Sequence, residues 1–346
     1  MFKSSIIPLY KDFPIHKLSL MDFGSADGDR DELIEDVFVR TESIEKFLQG
    51  RHSIIIGSIG SGKSALFNLL KKSSRKLNID NNHIIVPIEE MISFQTLNSY
   101  ISEYISKFDK KHLYQVFWKF YITAYICREI CNNSKSINLS GFDKKQLKDF
   151  LAQINFRGIH ENIVEKFFNV LNIPQVTIRA TVLSTPINVS VDSKKECKND
   201  DYMDLDNIIK ICDSILSENN LSCMVIVDNI DKLISVEEYD MQCSLVEGLL
   251  HVEDDIRRMK KIKCRIFLRS DIFDRIDFSG LGFDKTYDNT LELKWSDDEI
   301  ICFLARRIMY VLGKFHLMTY YDVIMTTNLS DFQVDKLSSE IFQEHT

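Results

Sequence analysis

One segment constrains this chain more than any other: His52-Ser-Ile-Ile-Ile56, then Gly57-Ser-Ile-Gly60-Ser-Gly62-Lys63-Ser64, then Ala65-Leu-Phe-Asn-Leu-Leu70. A short continuous apolar run enters a glycine-rich loop. Beyond it, residues 65, 66, 69 and 70 recur at helical spacing. The loop fits G-x-x-x-x-G-K-[ST] in full, in the strand–loop–helix context that the pattern needs. Glycines let successive backbone N–H groups turn inward and close on a polyphosphate. The helix that follows adds the positive end of its dipole. Gly57, Ser58, Ile59, Gly60, Ser61, Gly62, Lys63, Ser64 and Ala65 are therefore the expected phosphate-binding residues. Lys63 would bring a compact cation to the β- and γ-phosphates, and Ser64 a hydroxyl to Mg²⁺.

A second element should supply the acid that holds magnesium, from the end of a buried strand. Met224-Val-Ile-Val-Asp228 has this form: four apolar residues, then a carboxylate at the carboxyl end of the run, where α/β sheets bind ligands. Asp228 is the expected second metal ligand. The next position is Asn229, whose amide can position a water but cannot take its proton at neutral pH. Asp231 is the nearest carboxylate that could do so. It has an equal claim as the cap of the helix that follows. Hydrolysis is expected to be slow or to depend on a partner.

Around these motifs the chain alternates strand and helix. His83-Ile-Ile-Val-Pro-Ile88 reads as a strand whose proline cannot donate to a ladder, which puts it at an edge. Leu221–Val227 and Cys264–Leu268 are apolar-dense, as buried parallel strands are. Thr290-Leu-Glu-Leu-Lys-Trp295 alternates, which suits one solvated face. Ser296-Asp-Asp-Glu299 is a capping box ahead of a helix over 300–311. Residues 31–48 suggest two short helices parted near Arg40-Thr41. Helices are expected over 93–108, 110–132, 143–154, 161–172 and 204–219. A hairpin is expected over 176–191, its halves meeting at Ser184-Thr-Pro186, with a charged linker at 192–201. The predicted class is α/β, a parallel sheet with a large helical insertion. The arm spans 1–40, the core 41–90 and 221–295, the insertion 91–220 and a helical lid 296–346.

Charge and cysteine usage narrow the function. Lys and Arg total 43 against 51 Asp and Glu, a formal net charge of −8. That argues against a general binder of phosphate backbones. No apolar stretch exceeds Phe120–Cys127, far short of the ~18 residues of a bilayer span. Met1-Phe-Lys-Ser-Ser-Ile-Ile-Pro8 is too short for a secretory apolar core. The cysteines at 127, 131, 197, 212, 223, 243, 264 and 302 include no C-x-x-C. Cys127 and Cys131 share a helical face but lack partners at zinc spacing. Reduced thiols and a cytoplasmic location are expected. The histidines form no ligand or triad spacing.

Phe23-Gly-Ser, Asp31-Glu-Leu, Phe38-Val-Arg-Thr41, Ile44–Gly50 and Gly60–Leu66 together resemble one family, as do Val225–Leu233, Phe267-Leu-Arg-Ser-Asp-Ile272, Leu293–Ile300 and Arg306-Arg-Ile308. It is a group of bacterial P-loop ATPases related to the STAND and ORC-like branch of AAA+ proteins, some of them linked to anti-phage defence. The resemblance covers about residues 22–311, apart from much of the insertion. It implies a P-loop NTPase core with strand order 5-1-4-3-2, which agrees with the edge assignments above. It further implies ATP as the nucleotide, Phe38 and Val39 near the adenine, and Arg269 or Ser270 at the sensor position beside the γ-phosphate. Arg306 and Arg307 fall on the lid helix, where a second sensor could reach the nucleotide. Being adjacent, at most one can face it. The family pattern continues into further lid helices and an Arg-Pro-Arg-type block that this sequence lacks, so a shortened lid, or one completed elsewhere, is expected. The implied role is a regulatory or assembly ATPase acting on partner proteins or on further copies of itself. The alternatives are a scaffold or switch that holds ATP without hydrolysing it, and an ORC-like DNA loader.

Three further features have two readings each. Arg257, Arg258, Lys260, Lys261, Lys263 and Arg265 form a basic run. It is either a nucleic-acid contact or a helix C-terminus whose dipole favours cations. Arg275 is either an arginine finger or a surface ion pair. The aromatic-rich Phe117–Tyr125 is better read as insertion core than as a ligand platform.

Overall fold

The computed structural model describes residues 24, 28, 30–73, 77, 79, 82–88, 109–133, 137–156, 163–171, 177–189, 202–230, 239–276, 278 and 283–314. The strands are β1 (Ile54–Gly57), β2 (His83–Ile88), β3 (Thr177–Val182), β4 (Thr185–Val189), β5 (Tyr202–Asp204), β6 (Ser222–Val227), β7 (Ile262–Arg269) and β8 (Thr290–Glu292). The helices are α1 (Ile34–Val37), α2 (Glu42–Leu48), α3 (Lys63–Ser73), α4 (Lys110–Asn132), α5 (Gly141–Gln153), α6 (Ile163–Leu171), α7 (Leu205–Glu218), α8 (Tyr239–Arg257), α9 (Ser270–Phe273), α10 (Phe283–Asp288) and α11 (Asp297–Lys314). The helix expected over 93–108, the linker 192–201, most of the arm before Arg30 and the lid beyond Lys314 lie outside the described residues.

Unbroken apolar runs bury both faces of a strand, and here they occupy the centre of a parallel sheet. Among the described residues five strands form this sheet, in the order β2–β6–β7–β1–β8, every pair parallel. Proline-bearing β2 and alternating β8 take the two edges. Leu293, just past β8, still donates to Ile56 O at 2.8 Å. The strand expected to reach Trp295 ends at Glu292 because the chain then crosses toward the glycine loop. Leu66, Phe67, Leu69 and Leu70 of α3 are fully buried, packing with Phe47 and Phe267 on one face. Each such side chain contributes roughly 1.5–3 kcal/mol.

The other face carries α4 and α8. A helix that is apolar all round must be surrounded, and α4 is buried continuously from Leu113 to Cys127. Its aromatic residues join Val86, Val225 and Ile266 of the sheet in one core, so the insertion is built onto the sheet. Trp118 Nε1 donates to Leu245 O at 2.9 Å, and Gly248 of α8 lets Tyr114 approach. A Cβ at Gly248 would lie 3.0 Å from that of Tyr114.

A second sheet, β4–β3–β5, lies within the insertion. The β3–β4 hairpin turns at Leu183–Ser184, with φ of 48° and 66°. Left-handed residues at both positions match the strand twist. The turn thus precedes the expected Ser184-Thr-Pro186 junction by one residue. Pro186 lies inside β4, opposite Thr181 on an edge strand, where its missing N–H leaves no ladder bond unmade. Three-residue β5 was not legible, being too short to show a period. No helix among the described residues is long and apolar enough to cross a membrane.

Candidate functional site

The carboxyl ends of β1, β6 and β7 open on a cavity of about 870 Å³. That is within the ~300–1,000 Å³ of small-ligand sites. Residues 59–65 of the loop, Asp228, Asn229 and Arg269 line one side, and Phe38, Val39, Trp295 and Phe303 the other. One half of the cavity is therefore polar and the other largely apolar.

The loop takes the form its glycines permit. Gly60 and Gly62 have φ of +84° and +94°, which an L side chain rarely adopts. Gly57 is needed for space: a Cβ there would sit 2.3 Å from Ser61 Oγ and 3.0 Å from Leu293 O. Helix α3 begins at Lys63 and opens on the cavity with Lys63, Ser64 and Ala65. Lys63 Nζ donates to Gly57 O at 2.7 Å, Ser58 O at 2.9 Å and Ser61 Oγ at 3.4 Å. These contacts hold the ammonium at the mouth of the loop.

Asp228 follows β6 directly and is 4% exposed, its N–H donating to Ile88 O at 3.1 Å. Asn229 takes a left-handed φ of 62°, which asparagine tolerates. Arg269 ends β7 opposite Gly57 of β1. Its guanidinium makes paired bonds of 3.0 and 2.7 Å to Asp271, holding that carboxyl below its usual range. Asp231 lies outside the described residues; of the other expected polar groups, Ser61, Lys63, Ser64, Asp228, Asn229 and Arg269 line this one cavity.

The apolar half is closed by α11. Ser296 Oγ accepts from Glu299 N, and Glu299 Oε2 accepts from Ser296 N at 2.8 Å, the capping box read from the sequence. From that helix Arg307 forms a buried ion pair with Asp31 and stacks over Phe303, 4.4 Å from its ring centre. Arg306 donates to Phe38 O at 2.7 Å, and Tyr310 to Asp36 Oδ2 at 2.9 Å. Glu299 Oε1 accepts from Glu42 N at 3.1 Å. Helix α11 is thus tied to the α1–α2 segment as one wall. Of the two arginines, Arg307 lines the cavity, its charge already matched by Asp31. Sequence reasoning missed Asp31, and it missed Trp295, whose indole lies 3.6 Å from where a Gly62 Cβ would stand. The position of Trp295, between an alternating strand and a capping box, was the only signal for it.

The basic run at 257–265 is mostly engaged within the fold. Arg257 pairs with Asp254 and Glu253, and Arg258 with Asp254 at 2.8 Å. Lys263 Nζ donates to Arg257 O and Met259 O, the cation at a helix C-terminus that the dipole favours. No family model, no curated protein and no solved structure matches this chain.

Proposed function

We propose that the chain is an ATP-binding protein of the P-loop NTPase class that hydrolyses ATP slowly or under a partner's control. One observation carries the reading: the glycine loop with Lys63 and Ser64 shares a single cavity with buried Asp228, at the carboxyl ends of the central strands. The sheet supports it too. Counted in core strands from the β8 edge, the order is 5-1-4-3-2. The apolar half, with Phe38 and Val39, suits a purine base.

The loop amides and Lys63 bind the β- and γ-phosphates, the ammonium exchanging carbonyl oxygens for phosphate oxygens. The Ser64 hydroxyl and Asp228 carboxylate are the hard oxygen donors that Mg²⁺ takes, and it needs only one or two protein ligands beside phosphate. That ion would neutralise charge between the phosphates. Arg269 stands at the strand end beside the loop, the sensor position. Asn229 orients water without accepting its proton, and Asp231 is the candidate base.

Asn229 also favours a second reading, in which bound ATP acts as an occupancy switch with little turnover. The engaged side chains at 257–258 and 263 leave less to support a DNA loader. On the resemblance alone we attach a cellular role in regulating or assembling partner proteins, with anti-phage defence as its setting, and membership of the STAND/ORC-like AAA+ branch.

Calorimetry with MgATP and MgGTP tests the site. Saturable heat that Lys63→Ala abolishes is expected, and its absence in the wild-type protein refutes the proposal. Single-turnover hydrolysis faster than in Asp231→Asn separates enzyme from switch.

A further inference from the structure

A second cavity, of about 380 Å³, lies at the opposite end of the sheet from the glycine loop, among the amino ends of β2, β6 and β7. Phe47, Leu48, Ile79 and Met224 give it an apolar wall. Its other wall holds Lys260, Lys261, Lys263 and Arg265, and among its described lining residues there is no carboxylate.

Central strands of parallel sheets seldom carry charge. Here β7 places Lys263 and Arg265 two residues apart, hence on one face. Lys263 is compensated by the C-terminal carbonyls of α8. Arg265 is compensated in part. It is 6% exposed, donating through one terminal nitrogen to Cys264 O at 3.1 Å and through the other to Gly50 O at 3.0 Å. Its Nε is buried without a hydrogen-bond partner, and so is His83 Nδ1 on the same lining. Leaving a buried charged donor unmet is costly, and such groups mark a bound ion or a functional site. Burial lowers the pKa of Lys263, and the nearby Arg265 charge adds to that, while Asp213 and Glu253 oppose it; burial lowers Arg265 too, opposed by Glu253. Asp213 takes the backbone N–H groups of Lys260 and Lys261, which fixes that turn, while among the described residues neither ammonium group makes an ion pair.

We propose that this cavity is a binding site for a small phosphate monoester, separate from the nucleotide site. The cations would receive the dianion, and the wall of Phe47, Leu48, Ile79 and Met224 the apolar body. Four positive groups around one cavity favour a dianion over a monocarboxylate, and the apolar wall favours an ester over free phosphate.

Phenyl phosphate is the probe, titrated calorimetrically into the full chain, with benzoate as the monoanionic comparator. Two variants separate this site from the glycine loop: Lys63→Ala, and the surface double substitution Lys260→Glu/Lys261→Glu. The expected result is saturable phenyl phosphate binding, tighter than benzoate and unchanged in Lys63→Ala. The double variant should weaken it about tenfold or more, the loss of one or two charge-assisted contacts. Absence of binding in the wild-type chain overturns the proposal. So does binding that Lys63→Ala removes, that the double variant retains, or that benzoate equals.

Discussion

Replacing Lys119 by methionine should cost the fold several kcal/mol. Lys119 sits in the middle of α4, 3% exposed. It is ion-paired to Asp206 of α7, donates to Thr181 O of β3, and lies 3.7 Å from Asp255 Oδ2 of α8. Both carboxylates have further tasks. Asp206 accepts from Thr181 N at 2.6 Å, and Asp255 accepts from Leu183 N at 3.2 Å. Methionine keeps most of the volume, so the cavity contribution is small, and two partly buried carboxylates lose the buried cation they share, Asp255 keeping only the Arg258 cation, at 4.0 Å, among the described residues. Breaking a buried pair from one side costs roughly 3–5 kcal/mol, against a total of ~5–15 kcal/mol for a typical domain. The pH dependence follows. Burial raises the Asp255 carboxyl above its usual value, partly offset by Lys119. A raised carboxyl takes up protons on folding, so its cost is present above the folded pKa and disappears as pH falls. Removing Lys119 raises it further. Urea unfolding at neutral and mildly acidic pH, each compared with wild type, should show the deficit shrinking on acidification. Lys119→Met/Asp255→Asn should recover part of it. A neutral-pH loss under ~1 kcal/mol, or a deficit that does not change with pH, refutes the reasoning.

Three shorter predictions accompany it. The chain has two tryptophans; Trp118 is fully buried beside α8 and Trp295 faces the loop, so MgATP should change the fluorescence, and Trp295→Phe should abolish the change. Gly57→Ala places a methyl 3.0 Å from the backbone oxygen of Leu293, and calorimetric melting should show a loss of ~1–3 kcal/mol together with loss of nucleotide binding. Burial and the nearby Lys111 charge lower the His251 pKa to about 4. The folded protein resists that protonation, so this group should destabilise the fold progressively between about pH 6.5 and 4, by up to ~3 kcal/mol, and His251→Gln should flatten that part of the urea-derived stability profile.

What was legible in the sequence was whatever is encoded locally. The glycine loop, the apolar run into Asp228, the proline in β2 and the Ser296–Glu299 box each need only a few adjacent residues, and each stands in the fold at the strand end, edge or helix start read for it. The unreadable parts pair residues far apart in the chain. Asp31 meets Arg307 across 276 positions, Trp295 meets Gly62 across the sheet edge, and Arg265 reaches Gly50 across 215. None of these pairs has a period or spacing, because topology alone brings them together. The same holds for α4, whose apolar circumference is plain in the sequence. The sequence does not say that α8 and the main sheet are among the elements that surround it.

The two arginines at the cavity differ in what it would take to redirect them. Arg307 and Asp31 are 9% and 2% exposed at their side chains, so parting them strands a buried charge at roughly 3–5 kcal/mol. Arg269 and Asp271 are 33% and 45% exposed, and a pair of that kind is worth about 0–1 kcal/mol. A polyphosphate in the loop would therefore draw Arg269 away from Asp271 at little cost, and Arg307 away from Asp31 only at a cost of several kcal/mol. Under the proposed function, Arg269 is therefore the cation that would respond to the terminal phosphate. Arg307 stays with Asp31 and keeps α11 docked on the α1–α2 segment. A change at the phosphate end would then be felt first at β7 and α9, which meet at Arg269, with the apolar wall around Trp295 keeping its shape.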